Sequence, residues 1–555
     1  MHIDDQKYQR TGRTYRRILL RNSYRKDGKI CHDTIANLSK CSEEEINALK
    51  YALKNKDLIA NNKLIHDSDV TTQQGLSVGA VWLLHKVAKR LGIPKALGNG
   101  RQAGLAMWLV ISVVLGCVSR LSAVRLARSH AACDILGLDS FCEDDLYQTL
   151  DWLNEQQSTI EDRLFQCRFQ HKIPNLFLYD VTSSYFEGEK NELAAYGYNR
   201  DKKKGKKQIV IGLFTDDEGY PISCEVFKGN TKDMATFKKQ VEKVANRFGV
   251  EYATFVGDRG MIKSVQIENL SEEDFYYITA LTKPQIEKMI KDDIFQMELF
   301  EKTICEVEHD KVRYVLRCNP VRTMEIREAR NSKLISLKKL CEKKSRYLLE
   351  HPRAKVPTAI KEIQNFAKKL KIDAWAKVIA RQRDFYIEID KEELAKSEKL
   401  DGCYAIKSNV PLANASKEAI HARYKDLAGV EWAFRTMKTT LLHMRGIYVR
   451  KADRTRAHVF TIMLAYMLAY ELRRLWQDME VTIEEGVEEL SSVCATEVLM
   501  GDVAIQTVPR PREMGQQLLD KANVTLPDAI PCRGVRVHTR KCLVDERINH
   551  EISKY

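Results

Sequence analysis

Leu176-Phe-Leu-Tyr-Asp180-Val-Thr182 is a short apolar run with a carboxylate near its end, and strand and helix patterns alternate from there to about residue 283. Three strands come first, followed by a helix, a strand, a second helix and a fifth strand. The strands are predicted over 176–181, 209–215, 222–227, 253–256 and 276–280, and the helices over 234–248 and 262–270. Successive strands can form a meander, whereas parallel strands need crossovers, so this order predicts an α/β core with a mixed sheet.

The chain around this core has other patterns. A basic opening stretch with an Asp27-Gly28 turn predicts a β-hairpin, whose arginines would suit either phosphate contact or a solvated edge strand. An insertion interrupts the core, with strands predicted at 303–309, 312–318 and 384–389 and a helical stretch from 332 to 379. The predicted regions are a basic hairpin (1–70), a helical domain (71–173), a first core segment (174–283), the insertion (284–415), a second core segment (416–480) and a tail (481–555).

Composition and charge indicate which kind of partner the protein binds. The chain has 555 residues, of which 44% are hydrophobic and 30% charged, so it can form several globular cores. A net charge of +14 favours a polyanionic partner such as nucleic acid over an acidic small molecule, although a merely soluble basic protein could carry the same charge.

Other features predict a cytoplasmic protein. Fourteen cysteines occur singly, without the spacing of a zinc site, as expected for reduced thiols. The N-terminus lacks the apolar run of a secretory signal. The uncharged stretch 103–119 is at the lower limit of a membrane span, and a buried core helix is expected there instead.

A second carboxylate, Asp258, also follows an apolar strand, in Ala253-Thr-Phe-Val-Gly-Asp258-Arg259. Carboxylates at the ends of neighbouring strands can converge on one point. Taken alone, either Asp180 or Asp258 would more often be a turn or helix-capping residue. A third carboxylate, on a helix, would favour a shared metal site over these turn and capping roles.

Glu431 is such a residue, because Tyr424, Glu431 and Lys438 recur at intervals of seven along a helical pattern. Seven residues make two helical turns, so the three side chains are expected on one face, with Arg435 one turn beyond the glutamate. Cations beside a carboxylate suit phosphate oxygens, although a solvated helix face would look the same. Three carboxylates on the rim of a sheet indicate phosphodiester chemistry with divalent metals.

These motifs resemble the bacterial insertion-sequence transposases of the DDE type, in the group with a Tyr-x2-Arg-x3-Glu-x6-Lys signature. Tyr424, Glu431 and Lys438 match that signature in spacing, whereas its arginine position is Leu427. The resemblance covers residues 174–475 strongly and implies an RNase H-like core interrupted by a large insertion. Further stretches that resemble the group are 178–188, 196–204, 219–222, 227–233 and 256–261.

The resemblance also implies an activity, a cofactor and partners. Asp180, Asp258 and Glu431 would bind two Mg²⁺ ions, for which Mn²⁺ can substitute, and would catalyse strand cleavage and transfer. The partners would be the element's terminal inverted repeats, target DNA and a second copy of the chain in the DNA complex. Residues 1 to about 170, which include the helical domain 71–173 as a DNA-binding domain, are expected to read the DNA ends. The protein would act at the nucleoid in the bacterial cytoplasm. The residues expected to contact DNA are Tyr424, Arg435, Lys438, Arg259, Lys203, Lys204 and Trp375.

Two of these assignments have competing interpretations. Lys203 and Lys204 lie in a basic run that is equally typical of a solvated loop. Trp375 could stack on an unpaired base, but packing in a helical segment is the more frequent use of tryptophan. For the whole protein, the alternatives are a DDE nuclease that no longer transposes and a DNA-binding repressor with vestigial carboxylates.

Overall fold

The computed structural model describes most of the chain and divides it into two units. The first unit comprises 1–76, 494–509 and 527–532, and the second comprises 77–493, 510–526 and 533–555. The description leaves out residues 11–12, 27, 57–69, 118, 171–173, 199, 202, 204, 233–235, 238–242, 244–246, 249, 251–252, 260–274, 302, 445, 501–502, 532 and 540–555. The predicted helix 262–270 therefore lies outside the described residues, and most of 234–248 does too.

The first unit contains two small antiparallel sheets. Strands β1 (His2–Arg10), β2 (Arg13–Lys26) and β3 (Lys29–Asn37) form one sheet, and the predicted hairpin is confirmed by the pairing of β2 with β3. Helix α1 (Glu43–Lys54) buries Ile46 against Ile18 and Leu38. The second sheet combines β4 (Val70–Ser77) with β15 (Cys494–Met500) and β16 (Val503–Thr507), so part of the predicted tail completes the N-terminal unit.

A mixed sheet of eight strands organises the second unit. The first five strands are β5 (Leu176–Tyr185), β6 (Gln208–Asp216), β7 (Pro221–Lys228), β8 (Thr254–Gly257) and β9 (Tyr276–Ala280). Strands β5, β6 and β7 form an antiparallel meander, while β8 lies parallel to both β5 and β9. The predicted strands and the mixed sheet are confirmed, although β5 continues four residues further than its pattern predicted.

The helices before the sheet share its hydrophobic core. They are α2 (Gly79–Arg90), α3 (Ile93–Leu97), α4 (Arg101–Val114), α5 (Arg120–Leu126), α6 (Ala132–Leu136) and α7 (Glu143–Arg168). Trp108 and Leu150 belong to the same buried cluster as Ile209 of β6 and Tyr466 of α15 (Ala452–Leu475). This helical region therefore does not have a core separate from that of the sheet.

The apolar stretch 103–119 contributes most of α4, whose side chains are buried from Leu105 to Val114, as expected for a core helix. None of the described helices combines the length and apolar character that crossing a bilayer requires. Every cysteine in the described part of the chain is a free thiol.

The face of the sheet opposite the helical region carries an aromatic core, in which the rings of Phe177 and Phe214 stack with their centroids 5.0 Å apart.

The insertion contributes to the sheet as well as forming a core of its own. Strands β10 (Cys305–His309), β11 (Val312–Cys318) and β14 (Cys403–Ser408) extend the sheet beyond β9, giving the order β10-β11-β14-β9-β8-β5-β6-β7. The separate core contains α10 (Pro320–Glu350), α11 (Val356–Leu370), β12 (Ala376–Arg381) and β13 (Asp384–Ile389). The prediction of one helical stretch to residue 379 is wrong, since two helices are followed by β12, which pairs with β13.

The remaining helices of this unit connect or flank these elements. They are α8 (Lys283–Lys291), α9 (Glu298–Glu301), α12 (Lys391–Glu398), α13 (Lys417–Lys425), α14 (Leu427–Arg435), α16 (Ile483–Ser491) and α17 (Glu513–Lys521). Helices α13 and α14 follow β14 directly, and α14 packs against β5. This packing places the helix of Glu431 beside the strand of Asp180.

Candidate active site

The two aspartates lie at the same edge of the sheet because their strands are parallel neighbours. The last paired residues of β5 and β8 are Tyr179 and Gly257, and each is followed directly by an aspartate, Asp180 or Asp258. Each carboxylate is oriented by a backbone N–H group. The N–H of Val181 donates to Asp180 Oδ1 at 2.7 Å, and the N–H of the residue after Asp258 donates to its Oδ1 at the same distance.

Glu431 reaches the same place from α14. The preceding helix, α13, starts at Ser416, whose hydroxyl accepts the N–H of Ala419, and a break at Asp426 separates it from α14. Gly429 on α14 approaches the turn between β6 and β7, where a Cβ built on Gly219 would lie 3.3 Å from the Gly429 Cα. The glycine turn in the 219–222 stretch thus allows the helix of Glu431 to lie close against the sheet.

All three carboxylates line one open cavity of about 490 Å³. The other lining residues come from the sheet, from α13 and α14, and from the insertion. They are Arg259, Ala280, Leu281, Asn319, Tyr404, Tyr424, Lys425, Leu427 and Ala428. The lining of the cavity therefore combines three acidic side chains with cationic and aromatic ones.

The carboxylates act on one another electrostatically. The pKa of Asp180 is raised to about 7, mainly by burial, with a smaller contribution from the negative charges of Asp258 and Glu431. The N–H of Val181 and the positive charge of Arg200 act in the opposite direction. An aspartate whose charge is disfavoured by two neighbouring carboxylates is in an environment that a bound cation would stabilise.

The donor chemistry of this cluster fits a divalent ion. Two aspartates and one glutamate supply only oxygen, the ligand type that Mg²⁺ and Mn²⁺ prefer, and the cavity leaves positions open for water and phosphate. Among the residues that the structure describes, no three His, Cys, Asp or Glu side chains are grouped closely enough to hold an ion together. The fit therefore lies in the donor type, the charge and the shared cavity.

Several cavity residues were not identified by sequence reasoning. Asn319 and Tyr404 come from the insertion, and the Tyr404 hydroxyl lies 2.5 Å from Nε2 of His421, which is buried on α13. Lys425 comes from the end of α13. The expected residues Tyr424 and Arg259 also line the cavity, and burial raises the pKa of Tyr424 to about 12.

The expectation that Lys438 shares a helix face with Glu431 is wrong. Helix α14 ends at Arg435, and Thr436–Thr440 form a π-helical turn, so a seven-residue interval no longer amounts to two α-helical turns. The Lys438 side chain is only 6% exposed, and its amino group lies 3.2 Å from Asp201 Oδ1 and 2.5 Å from Thr182 Oγ1. It does not line the cavity.

The remaining expected DNA contacts lie elsewhere. Arg435 lines a second cavity of about 640 Å³ together with Trp432 and Arg473, whose guanidinium carbon lies 4.0 Å from the Trp432 ring centroid. Lys203 is exposed near the Tyr185 ring, and Lys204 lies outside the described residues.

The base-stacking role expected for Trp375 is not supported by its position. This side chain is 5% exposed and packs in the separate core of the insertion, because the segment after α11 turns inward before β12. The packing interpretation of this tryptophan is therefore the better one.

A sheet-edge cluster of two aspartates and a helix-borne glutamate defines the class of DDE enzymes. The family described as "Transposase DDE domain" matches residues 171–468, more than half of the chain, and the chain belongs to this family. Residues 5–67 match the "IS1634 family transposase, N-terminal domain". The chain is therefore an insertion-sequence transposase of the DDE type, as the motifs predicted.

Two further comparisons complete this result. No curated protein sequence matches the chain. Among solved structures, the chain is similar to a piggyBac transposase in a synaptic complex with hairpin DNA, with 10% sequence identity and a TM-score of 0.37. That match covers 86% of this chain and 94% of the other, at a TM-score too low to establish a shared fold.

Proposed function

We propose that this transposase binds the terminal inverted repeats of an insertion sequence, cleaves the DNA ends and joins them to target DNA. The observation that carries the proposal is the convergence of Asp180, Asp258 and Glu431 on one open cavity. A three-stranded meander followed by two parallel strands, with the glutamate on a later helix, supports an RNase H-like assignment for this core.

Asp180, Asp258 and Glu431 would hold two Mg²⁺ ions, and Mn²⁺ would substitute. When bound, such ions lower the pKa of a water or hydroxyl nucleophile and stabilise the leaving oxygen of an in-line displacement. The protein's own contribution is positioning. The backbone N–H groups beside Asp180 and Asp258 fix the two carboxylates, and the cavity remains open to a DNA strand.

The cationic groups around the cavity would contact the DNA backbone. Arg259, Lys425 and the Tyr424 hydroxyl border the carboxylates and would take the phosphates next to the cleavage point. Lys203 and Arg435 lie outside the cavity lining and would contact the duplex further from that point, and we propose the same contact for Lys204. Such contacts bind DNA of any sequence, so recognition of the ends needs another surface.

The N-terminal unit would provide that recognition. Its residues 5–67 match a domain that begins transposases of one insertion-sequence family, and β2 carries a series of arginines. The helices of 77–168 share the core of the sheet, so the fragment 1–170 would lack the strands and α15 against which they pack. Recognition is therefore best tested in the full chain, with DNA binding to repeat and scrambled duplexes compared at rising salt. Equal binding to both duplexes would contradict this role.

We also propose that two chains act in the DNA complex. An element has two ends, and the three carboxylates of one chain form a single cluster in one cavity. Mass measurement of the complex with both ends should give two protein chains. One chain spanning both ends would contradict the arrangement.

Replacement of the carboxylates tests the catalytic assignment. Asp180→Ala, Asp258→Ala and Glu431→Ala should each abolish cleavage of terminal-repeat DNA while leaving binding of that DNA intact, because phosphate contacts come from other residues. Asp217→Ala is the matched control, since Asp217 is an exposed carboxylate in the turn after β6. A carboxylate variant that cleaves at the rate of this control would refute the mechanism.

A further inference from the structure

The loop that carries the basic run contacts β5 beyond the end of its pairing with β8. Strand β8 pairs with β5 only as far as Tyr179, while β6 stays paired with β5 on its other side. Near the end of β5, the backbone N–H of Ile447 donates to the Tyr185 carbonyl at 3.3 Å. The loop contacts this part of the strand. The backbone N–H of Arg200 donates to Ser183 Oγ at 3.1 Å, and the backbone N–H of Tyr185 donates to Asp201 Oδ2 at 3.2 Å.

Lys438 contacts the loop at the same point. Its amino group lies 3.2 Å from the second carboxylate oxygen of Asp201 and donates to Thr182 Oγ1, one residue before Ser183 in β5. The Asp201 side chain is 1% exposed and that of Lys438 6% exposed. Removing either partner would break this buried ion pair and one of the contacts between the loop and β5, so the two residues are expected to act together.

This contact determines where the neighbouring cations lie. Arg200, next to Asp201, is close enough to act electrostatically on the Asp180 carboxylate. Lys203, two residues beyond Asp201, is exposed, with its amino group 5.7 Å from the Tyr185 ring centroid. Arg200 is thus held beside Asp180, and Lys203 beside Tyr185, by a loop that Lys438 connects to β5.

We propose that Lys438 is a positioning residue and not a phosphate ligand. Through Asp201 and Thr182 it holds the loop around Arg200 and Asp201 against β5. Arg200 then faces the DNA strand that enters the carboxylate cavity, and Lys203 faces the duplex further from the cleavage point. The role toward DNA rests on the proposed function. The attachment of the loop does not, and it can be measured without DNA.

The test compares Lys438→Met, Asp201→Asn and the double variant with wild type. Lys425→Met is the matched control, because Lys425 is an exposed lysine that lines the carboxylate cavity. The first readout is the rate of tryptic cleavage at residues 200–207 in the full-length protein without DNA. It should rise about tenfold in both single variants and no further in the double variant. Lys425→Met should leave it unchanged.

The second readout is single-turnover cleavage of terminal-repeat DNA at saturating concentration. Both single variants should slow it by about 10²-fold, as expected when cationic groups lose their positions, and the double variant should be no slower. Their dissociation constants for DNA should change much less. Lys438→Arg keeps the charge and should restore much of the loop's protection from trypsin, which a general loss of stability would not allow.

Two outcomes would overturn the proposal. One is that Lys438→Met weakens DNA binding and reduces its salt dependence while the loop stays protected, as for a direct phosphate ligand. The other is that the effects of Lys438→Met and Asp201→Asn on loop cleavage add in the double variant. If the wild type itself fails to cleave DNA, the proposed function fails, while the trypsin measurement still decides the role of Lys438.

Discussion

The carboxylate cavity has two walls of different origin. One is formed by β5, β8 and α14, which carry Asp180, Asp258 and Glu431. The other comes from the insertion, through Asn319 at the start of α10 and Tyr404 in β14. The first wall holds the three carboxylates, whereas none of the lining residues of the second wall is a carboxylate. The comparison shows that the insertion contributes to the carboxylate cavity in addition to forming a core of its own.

The largest effect that would distinguish the walls is expected at Tyr404. Tyr404→Ala removes the ring that lines the cavity and the hydroxyl that contacts His421, so DNA next to the carboxylates loses a positioning surface. Single-turnover cleavage should fall by about 10²-fold. Tyr386→Ala is the control, because this tyrosine of β13 is 51% exposed. If both variants cleave equally fast, the insertion wall has no part in the reaction.

A smaller effect is expected where the first wall is assembled, at the glycine turn below α14. Gly219 has a φ of +79° and lies against Gly429, whereas Gly205 has a φ of +73° with open space around it. Both alanine variants should lose about 1 kcal/mol to the left-handed conformation. Gly219→Ala should lose about 1 kcal/mol more, because its Cβ displaces α14, and chemical denaturation would measure the difference.

Gly205→Ala, the control, separates the cost of the left-handed backbone from the cost of displacing α14. Gly219→Ala should also slow DNA cleavage, because Glu431 moves with its helix. Equal losses of stability in the Gly219 and Gly205 variants would show that the close approach of the turn and helix is not what positions the glutamate.

The pH dependence of stability provides a third test, specific to the first wall. Because burial raises the pKa of Asp180 from 3.8 to about 7, the folded protein binds this proton more tightly than the unfolded chain. Stability from this group is therefore complete below pH 3.8 and is lost as the pH rises to about 7. Asp180→Asn removes the loss, so it should raise the melting temperature of metal-free protein by about 2 °C at pH 8.

The direction of change with pH is the informative result. The difference between Asp180→Asn and wild type should shrink as the pH falls toward 4, while Asp217→Asn should match wild type throughout. A difference that does not change with pH would mean that neither burial nor the neighbouring carboxylates disfavour the charge of Asp180 in solution.

The smallest effect is expected outside both walls, at Arg435. Arg435→Ala should weaken DNA binding only a few-fold and reduce the salt slope by about one, as for the loss of a single phosphate contact. Arg474→Ala is the control, because this exposed arginine at the end of α15 pairs with Glu471. Equal binding by the two variants would remove Arg435 from the DNA interface.

The difference between the walls also explains what the sequence could predict. Asp180 and Asp258 each follow an apolar strand pattern, and Glu431 belongs to an amphipathic helix pattern. Each pattern is local, so these residues can be identified without knowing the fold. Tyr404 has no such pattern, because β14 reaches the cavity by pairing with β9, more than one hundred residues earlier in the chain. Long-range strand pairing of this kind is not encoded in local periodicity.

Lys438 shows the complementary limit. Its seven-residue spacing from Glu431 would place the two side chains on one face of an ideal α-helix. The π-helical turn at Thr436–Thr440 changes this direction, and the lysine side chain is buried in the protein. Nothing in residues 436–440 marks this turn, which becomes understandable only once Asp201 is seen beside Lys438. The sequence around Trp375 likewise does not distinguish a packing role from a base-stacking role, whereas its neighbours in the insertion core do.

The most direct test of the central claim, that the three carboxylates hold the metal ions, is a change of ligand chemistry. Asp258→Cys and Glu431→Cys replace an oxygen ligand with sulfur, which Mg²⁺ binds poorly and Mn²⁺ accepts better. Cleavage of terminal-repeat DNA should be lost in Mg²⁺ and partly recovered in Mn²⁺, whereas the alanine variants should stay inactive in both ions. Cysteine variants that cleave at the wild-type rate in Mg²⁺ would contradict the account.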